Sequence, residues 1–357
     1  MSTSLTTSSE RAMLADSASR LFADIGTRGH LTKVRAGSWI ADEWQAIEQA
    51  GLSAAAISEV RGGVGADLQA QATIVRLAAY YNVSAPLAET FLAETMLDRA
   101  ALPARHRALT VAPVVSQGCA SLTRSGAQYL ISGELHRVPW ARHVPIVVAA
   151  DFEGHVATVI VEAPVDVRPQ HNIADEPRDT VHLNSFPVSS GDVGIGRECL
   201  SRGDVFMHGA LLRSAAMLGA LERVLEITVR YTVDRVQFGR PIGKFQAVQQ
   251  MVSVLASQVA ACGIAVESAV KALERSDANL QIAAAKARVS EAAGSVAALG
   301  HQVHGAIGIS REYALNLSTR RLWSWRDEFG SETEWSERIG SMLGRIGAAG
   351  MWLEITR

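Results

Sequence analysis

The sequence predicts an α+β multidomain protein, in which an N-terminal helical domain, a middle antiparallel β domain and a C-terminal four-helix bundle follow one another. Eight of the ten prolines lie between Pro103 and Pro187. Proline is unfavourable inside a helix because it lacks the N–H and clashes with the preceding turn. Short β-rich runs lie in the same stretch, whereas long stripes of apolar residues at helical spacing lie on either side. These observations together exclude one uniform architecture.

Residues 1–104 are predicted to form the first helical domain. A helical face that includes Trp44 ends at Gly51, and helical spacing resumes from Leu68 to Tyr81. The segment RGGVGAD, residues 61–67, interrupts this pattern. A phosphate-binding loop needs a preceding strand and a following GK[ST], and neither is present. A plain turn is therefore the favoured interpretation of this loop.

Residues 105–206 are predicted to form the β domain. Gly, Pro, Asp and Asn separate five β-rich runs, which lie at residues 110–115, 128–133, 145–150, 155–162 and 180–183. Short strands with regular turns between them are typical of a small antiparallel sandwich or barrel. No helical pattern of 10–15 residues separates the runs, which argues against a dinucleotide-binding fold of alternating strands and helices.

Residues 207–357 are predicted to form a bundle of four long amphipathic helices. Leucines from Leu211 to Leu225 form the stripe of the first helix. Apolar residues from Val248 to Val270 follow in steps of three and four and mark the second. A third helix is expected from a cap at Asp277 to about Val303, and a fourth begins near Thr333.

The composition excludes several classes of protein. The chain has 357 residues, of which 48% are hydrophobic and 20% charged, with a formal net charge of −2. It can therefore bury a large core, and it has no electrostatic footprint for nucleic acid or an anionic membrane. No stretch approaches the roughly 18 apolar residues of a membrane span. A cytoplasmic protein is expected, because the N-terminus lacks the features of a secretory signal and the cysteines are three and widely spaced: Cys119, Cys199 and Cys262.

The segment DRVQFGRPIGKFQAVQQ joins the first two bundle helices. Gly239 and Pro241 are typical of a helix stop and restart, so a simple helix–helix turn is one interpretation. A turn does not account for the arginine, the glutamine and the two phenylalanines at the same place. An exposed arginine offers a planar fork of donors to a diphosphate, and Phe238 and Phe245 could cover an adenine or a flavin edge. A ligand site is therefore the second interpretation.

The segment LGHQVHGAIGISREY ends the third helix. Its glycines allow a helix cap and a close approach of the backbone. His301 and His304 stand at positions i and i+3, but no Asp, Glu or Cys completes a set of metal ligands at ordinary spacing. No metal is predicted, and backbone N–H groups with Gln302 are expected to meet a polar cofactor.

Two further segments allow both a structural and a functional interpretation. In TRRLWSWRDEFGSETEW, Trp323 and Trp325 fit a core or interface, and Asp327 and Glu328 fit a solvated acidic turn. A carboxylate beside aromatic residues can also have a raised pKa and act as a base. In ISGELHRVPWARH, residues 138–140 fit a packed hairpin or a surface against a planar cofactor.

Together these segments resemble the acyl-CoA dehydrogenase family of flavoproteins over nearly the whole chain. RVQFGRPIGKFQ and QVHGAIG match family motifs at the right separation, and GLSAAAISEVRGGVGADL resembles the family's first-domain loop. RRLWSWRDEFGSE resembles the shorter members, some of which are one subunit of a two-gene dehydrogenase. The resemblance implies bound FAD and α,β-dehydrogenation of an acyl-CoA thioester. In that reaction a carboxylate removes the α-proton while the β-hydride passes to flavin N5.

The resemblance also implies which residues meet the cofactor. At the helix–helix turn, the residues that would contact the FAD of a neighbouring subunit or line the same cofactor are Arg235, Gln237, Phe238, Phe245 and Gln246. At the end of the third helix, those that would approach its diphosphate are Gln302, Gly305 and Ala306. Ser331 falls where a family threonine contacts FAD. From the β domain, the residues that would flank the isoalloxazine are Val138, Pro139 and Trp140.

The family's catalytic carboxylate has no direct counterpart in this sequence. In the family it precedes a glycine in the loop before the last helix, and here Phe329 holds that place before Gly330. The family's other position, at the start of the first long bundle helix, aligns with Gly209. Glu328 is one residue from the first position and is the candidate base, ahead of Asp327.

Three hypotheses on function follow. The chain is an acyl-CoA dehydrogenase with an unusual base, a base-lacking partner subunit that completes the FAD site of a second subunit, or a flavin oxidase or monooxygenase of the same fold. The resemblance implies an acyl-CoA substrate and an electron-transfer flavoprotein or similar acceptor. It also implies a homo-oligomer (dimer or tetramer) or a heterotetramer with a homologous subunit. Dehydrogenase chemistry, alone or in a hetero-oligomer, is favoured.

Overall fold

The structure is a computed structural model that describes residues 7–26, 28–114, 120–126, 128–162, 166–274, 278–311 and 313–355. They divide into two compact units. The first lies within Met1–Val75 and Val83–Gly209, and the second within Arg76–Asn82 and Ala210–Arg357. The division into three domains drawn from the sequence stays a prediction.

Helices form the N-terminal part of the chain. They are α1 (Ser8–Ile25), α2 (Arg28–Arg35), α3 (Ala41–Gln49), α4 (Leu68–Tyr80) and α5 (Leu87–Arg99). A capping box starts α1, because Thr7 and Glu10 each accept a hydrogen bond from the other's backbone N–H. Phe22, Trp44 and Phe91 are buried and supply the large side chains of this core.

The glycine-rich loop before α4 is a tight turn. Gly62 is left-handed, with a φ of 85°, and the N–H of Gly63 donates to the carbonyl of Ser58 at 3.1 Å. A Cβ atom at Gly63 would lie 2.2 Å from the carbonyl oxygen of Ile57. The glycines therefore serve a close crossing of the backbone over itself.

The β-rich part of the chain forms one twisted sheet. Its strands are β1 (Thr110–Val111), β2 (Ser121–Ser125), β3 (Gln128–Pro139), β4 (Ile146–Phe152), β5 (His155–Val161), β6 (Val167–Arg168), β7 (Arg178–Val188) and β8 (Val193–Ile195). They lie in the order β6-β7-β3-β2-β4-β5-β8, and β1 pairs with β4. The pairing is antiparallel except for β1 and β2 on β4, which run parallel to it. Parallel strands are joined by long connections and lie far apart in sequence. The alternation of residues within one strand therefore does not indicate whether its partner runs parallel or antiparallel.

Five strands follow the predicted runs, three of them with a different length, and β2, β6 and β8 lie outside those runs. The run at 128–133 is the start of β3, which continues to Pro139. The run at 110–115 gives only the two residues of β1, and Val115 lies outside the described residues. The run at 180–183 is the centre of the longer β7, which pairs with β3 along most of its length. Inward-facing residues of the central strands, among them Ile131, Val148 and Val181, make the core of the sheet.

The second unit is the predicted helix bundle. Its elements are α6 (Arg202–Asp234, which begins in the first unit), the hairpin of β9 (Val236–Gln237) and β10 (Arg240–Pro241), α7 (Gln246–Glu274), α8 (Asn279–His304), α9 (Ala306–Ile309), α10 (Ala314–Trp325) and α11 (Glu332–Ile355). The buried stripe of α7 includes Leu255, Val259 and Val266, as its spacing predicts. Asp277, the predicted cap of the third bundle helix, lies outside the described residues, as does Cys119.

Among the residues that the structure describes, one helix, α7, meets the length and hydropathy criteria of a membrane span, although the sequence was expected to contain no such stretch. An 18-residue window of α7 has a mean hydropathy of 1.5, and 22% of that window is buried. The same helix carries a buried stripe and packs against α8. A core helix of a bundle meets these criteria as well, so they do not by themselves indicate a membrane.

Candidate functional site

The loop between α10 and α11, residues 326–331, contains Glu328, the candidate base, and accepts hydrogen bonds from a buried lysine. Lys286 of α8 is fully buried. Its Nζ donates to the carbonyl oxygens of Arg326 at 2.8 Å and Gly330 at 2.9 Å, and to the hydroxyl of Ser290 at 3.1 Å. One side chain therefore fixes both ends of this loop.

Burial lowers the pKa of Lys286 to about 7. The nearby carboxylate of Glu328 opposes this change by favouring the charged form, whereas the guanidinium of Arg213 adds to it. The amine consequently titrates far below the ordinary value for lysine.

Glu328, the candidate base, is engaged in an ion pair. Its Oε2 lies 2.9 Å from a terminal guanidinium nitrogen of Arg213 on α6, and the two side chains are only 15% and 6% exposed. The guanidinium of Arg213 lies 5.2 Å from the ring centre of Trp325, and that of Arg321 lies 5.4 Å from the same ring. Trp325 is buried, which agrees with the structural interpretation of this tryptophan.

Phe329 and Gly330 form the turn of the loop. Both are left-handed, with φ of 54° and 94°, and Phe329 is a non-glycine residue in a conformation that L residues rarely adopt. The indole N–H of the fully buried Trp335 donates to the carbonyl of Phe329 at 2.9 Å. The hydroxyl of Ser331 accepts from the N–H of Glu334 at 3.3 Å and so caps α11.

The β9–β10 hairpin presents the predicted cofactor residues of the helix–helix turn to the outside. Arg235, Gln237 and Gln246 are exposed, and Phe238 is left-handed and 91% exposed. The ring of Phe238 meets that of Phe245 edge-on at 6.1 Å, and the guanidinium of Arg240 lies 4.3 Å from the Phe245 ring centre. The turn therefore combines exposed aromatic surface with exposed cationic donors.

The end of α8 lies beside the end of α6, from which the hairpin begins. The rings of Tyr231 and His304 stack at 4.3 Å, and the N–H of Arg235 donates to the carbonyl of Tyr231. Burial lowers the pKa of His304, against the effect of its hydrogen bond to the carbonyl of Gly300. The two motifs that suggested a cofactor are thus brought to one end of the bundle.

The residues after α8 leave open space at the surface. Gly305 has a φ of 63°, and a Cβ atom there would meet nothing within 4 Å. Gln302 and Ala306 are exposed, as is Ile309. His301 bonds to the hydroxyl of Thr319 at 3.0 Å. Across the described ranges, no group of three His, Cys, Asp or Glu residues could hold a metal ion.

The β-domain segment has its side chains in the core of the first unit. Val138, Pro139 and Trp140 are all buried. Trp140 is left-handed, with a φ of 55°, and its ring packs edge-on against Trp39 at 5.6 Å and near His143 at 6.0 Å. The packed-hairpin interpretation describes this tryptophan ring, and contact with a flavin stays a prediction.

Reasoning from the sequence missed three residues of the loop site: Lys286, Arg213 and Trp335. Lys286 did leave a signal, because it lies on the same face of α8 as the buried Ile282 and Val289. A charged residue on the apolar face of a helix is rarely buried without partners. Arg213 lies one turn after Gly209 among the leucines of α6 and leaves a similar signal.

Comparisons with known proteins agree with the fold and the motifs. Residues 201–326 match the family model of the acyl-CoA dehydrogenase C-terminal domain. The chain is 31% identical over 324 residues to acyl-CoA dehydrogenase IpdE2 of Mycobacterium tuberculosis, covering 89% of this chain and 92% of that one. It is 27% identical over 302 residues to the protein of the same name in Mycolicibacterium smegmatis, with 83% and 86% covered.

Solved structures show the same fold at low sequence identity. A chain of the ChsE4–ChsE5 complex of Mycobacterium tuberculosis aligns with a TM-score of 0.87 and 23% identity, covering 96% of this chain and 99% of that one. Butyryl-CoA dehydrogenase of Megasphaera elsdenii aligns with a TM-score of 0.79 and 18% identity, covering 93% and 98%.

The fold and the relatives indicate a flavoprotein oxidoreductase. The chain belongs to the acyl-CoA dehydrogenase family. The predicted fold, the predicted family and FAD as the family's cofactor are confirmed.

Proposed function

We propose that this chain is the base-lacking subunit of a heteromeric enzyme that dehydrogenates an acyl-CoA thioester with FAD. One observation carries the proposal: the carboxylate nearest the family's catalytic position, Glu328, is paired with the buried Arg213 at 2.9 Å. The two positions themselves hold Phe329 and Gly209, which cannot take a proton. A second, homologous subunit would supply the base.

A catalytic base must reach the proton it removes, within about 2.6–3.2 Å between heavy atoms. Glu328 would have to leave Arg213 to do so. Separating a buried ion pair costs about 3–5 kcal/mol, because a buried charge is left without compensation. With side-chain exposures of 6% and 15%, Arg213 and Glu328 are close to this buried limit. The pair therefore favours a structural carboxylate over a base.

The residues at the end of the bundle fit FAD. Arg235 and Gln237 are exposed donors for a diphosphate, and Phe238 is an exposed aromatic ring for an adenine. Gly305 leaves room for the close approach of a ligand to the backbone. When bound, FAD would supply the oxidising power for the dehydrogenation of the thioester. The chain's own residues would bind and orient it.

Phe238 is 91% exposed at the tip of the hairpin, next to the exposed donors Arg235 and Gln237. We assign Phe238, with Arg235 and Gln237, to the FAD held by a neighbouring subunit. Phe245 and Gln246 would line the same cofactor, and Gln302 with Ala306 would approach its diphosphate. Ser331 would contact it from the loop. An electron-transfer flavoprotein or a similar acceptor would reoxidise the enzyme.

The relatives support this proposal. One similar structure is a complex of two proteins, ChsE4 and ChsE5. We expect two features of a subunit that contributes contacts rather than the base. Its nearest carboxylate should be engaged in an ion pair, and its fold should be shared with one protein of a two-protein complex.

Co-expression tests the proposal. The chain would be purified alone and together with a candidate homologous subunit that carries the base, and each preparation would be mixed anaerobically with acyl-CoA thioesters of short, long, branched and ring-bearing chains. We expect bleaching of the yellow flavin in the complex and none with the chain alone. Full bleaching by a homo-oligomer of this chain would contradict the proposal.

A further inference from the structure

A lysine sits where an apolar residue would pack better. Lys286 is fully buried on the face of α8 that carries Ile282, Val289 and Ala293, which are also buried. Removing an ammonium group from water costs several kcal/mol even after the protein relaxes. Packing alone does not require an amine at this position, so its polar contacts should account for it.

The contacts of Lys286 are directed at one loop. Its Nζ donates to the carbonyl of Arg326, at the start of the loop, and to the carbonyl of Gly330, in the turn. The hydroxyl of Ser290, one helical turn further along α8, also donates to the carbonyl of Arg326 at 3.2 Å. Buried backbone carbonyls need hydrogen-bond donors. Because the turn at Phe329 and Gly330 is left-handed, the backbone N–H groups that would donate to them in a continuous helix are not in place.

The loop leads directly to Ser331. The carbonyl of Gly330 accepts a hydrogen bond from Lys286, and Gly330 directly precedes Ser331 in the chain. The hydroxyl of Ser331 in turn caps α11. The indole N–H of Trp335 donates to the carbonyl of Phe329. Phe329 lies in sequence between Arg326 and Gly330, the two residues whose carbonyls accept from Lys286. The position of Ser331 is therefore set by the main chain that Lys286 anchors.

We propose that Lys286 is a positioning residue for the flavin contact at Ser331, acting through the carbonyls of Arg326 and Gly330. The inference rests on the proposed function, in which Ser331 meets FAD. It does not depend on the charge of the amine, because a neutral amine still donates two hydrogen bonds. The charged groups that face the amine are Glu328 and Asp327 as anions and Arg213 and Arg326 as cations.

The test measures FAD affinity in the co-expressed complex, with its flavin removed and then titrated back. Lys286→Met removes the donors and keeps most of the length of the side chain. Val289→Ala is the control, because it trims the same buried face of α8 and removes no hydrogen-bond donor. We expect Lys286→Met to raise the dissociation constant of FAD at least about tenfold, the effect of losing hydrogen bonds of this kind. Val289→Ala should change it little.

Chemical rescue separates positioning from packing. In Lys286→Ala, propylammonium, which replaces the atoms removed beyond Cβ, should restore FAD affinity, and 1-fluoropropane, which offers similar bulk without an N–H or O–H donor, should not. If Lys286→Met does not fold, Ser290→Ala keeps the lysine and removes its third partner, and a smaller loss of affinity in the same direction is expected. Unchanged affinity in Ser290→Ala would then contradict the inference.

The outcomes distinguish the inference from the proposed function. A wild-type complex that binds no FAD would contradict the proposed function. A wild-type complex that binds FAD with the same affinity as Lys286→Met, or equal rescue by 1-fluoropropane, would overturn the role of Lys286 alone.

Discussion

The carboxylate of Glu328 lies 2.9 Å from the guanidinium of Arg213, and both side chains are largely buried. The pair joins α6 to the loop between α10 and α11. It holds the carboxylate of the candidate base in a largely buried ion pair.

The ion pair makes a prediction for stability. Arg213→Met should destabilise the chain by about 3–5 kcal/mol, because Glu328 loses its buried cationic partner. The double variant Arg213→Met with Glu328→Leu should recover most of that loss. Urea unfolding of the wild type, both single variants and the double variant measures the coupling between the residues. Additive effects of the two substitutions would argue against a buried pair.

Lys286 makes a prediction for pH dependence. Its pKa is lowered by burial from 10.5 to about 7. Between these values the unfolded chain binds a proton that the folded chain does not, so stability from this group rises with pH. The wild type should therefore gain stability relative to Lys286→Met as the pH increases from 7 to 9. Urea midpoints at pH 7, 8 and 9 test this, and a constant difference between the two proteins would contradict it.

Gly305 makes a prediction about backbone conformation. Gly305 has a φ of 63° and open space where a Cβ atom would lie. A side chain at this position would therefore be unfavourable because of the backbone conformation and not because of crowding. Gly305→Ala should cost about 1–3 kcal/mol. Gly263 is the matched control, since it lies within α7, also with open space, and Gly263→Ala should stabilise by about 1 kcal/mol. The thermal unfolding midpoints of the two variants are compared with that of the wild type. Equal shifts in the same direction would contradict the prediction that only Gly305 requires a left-handed backbone.

Phe238 makes a prediction that separates binding from folding. The ring is 91% exposed, so Phe238→Ala should leave the stability of the isolated chain within about 0.5 kcal/mol of the wild type. In the complex the same variant should lose FAD during gel filtration, because the ring is assigned to the cofactor. Met13→Ala, at an exposed apolar residue of α1, is the control. Retention of flavin by Phe238→Ala equal to that of the control would exclude this contact.

The fold was largely predictable because it depends on local patterns. Prolines and short alternating runs marked the sheet, and apolar stripes such as that of α7 marked the bundle. The parallel pairing of β1 and β2 with β4 was not predictable, since strand partners are chosen over long distances in sequence.

The site was predictable only in part. The motifs around Phe238 and Gly305 identified the end of the bundle from the residue types alone. The partners of the loop could not be found this way, because Lys286 is 40 residues from Arg326 along the chain. Buried charges pair with groups that the fold brings to them, and only the charged residues on apolar helix faces, Lys286 and Arg213, indicated that such groups existed.

The central claim is that this chain does not supply the base, and the rate of flavin bleaching tests it most directly. The complex carrying Glu328→Gln would be mixed anaerobically with an acyl-CoA that the wild-type complex oxidises, with Asp327→Asn as the neighbouring control. We expect both variants to bleach at the wild-type rate within about twofold. A positioned general base contributes about 10²–10⁴-fold to a rate. A slowing of a hundredfold or more in Glu328→Gln alone would contradict the account and make Glu328 the base.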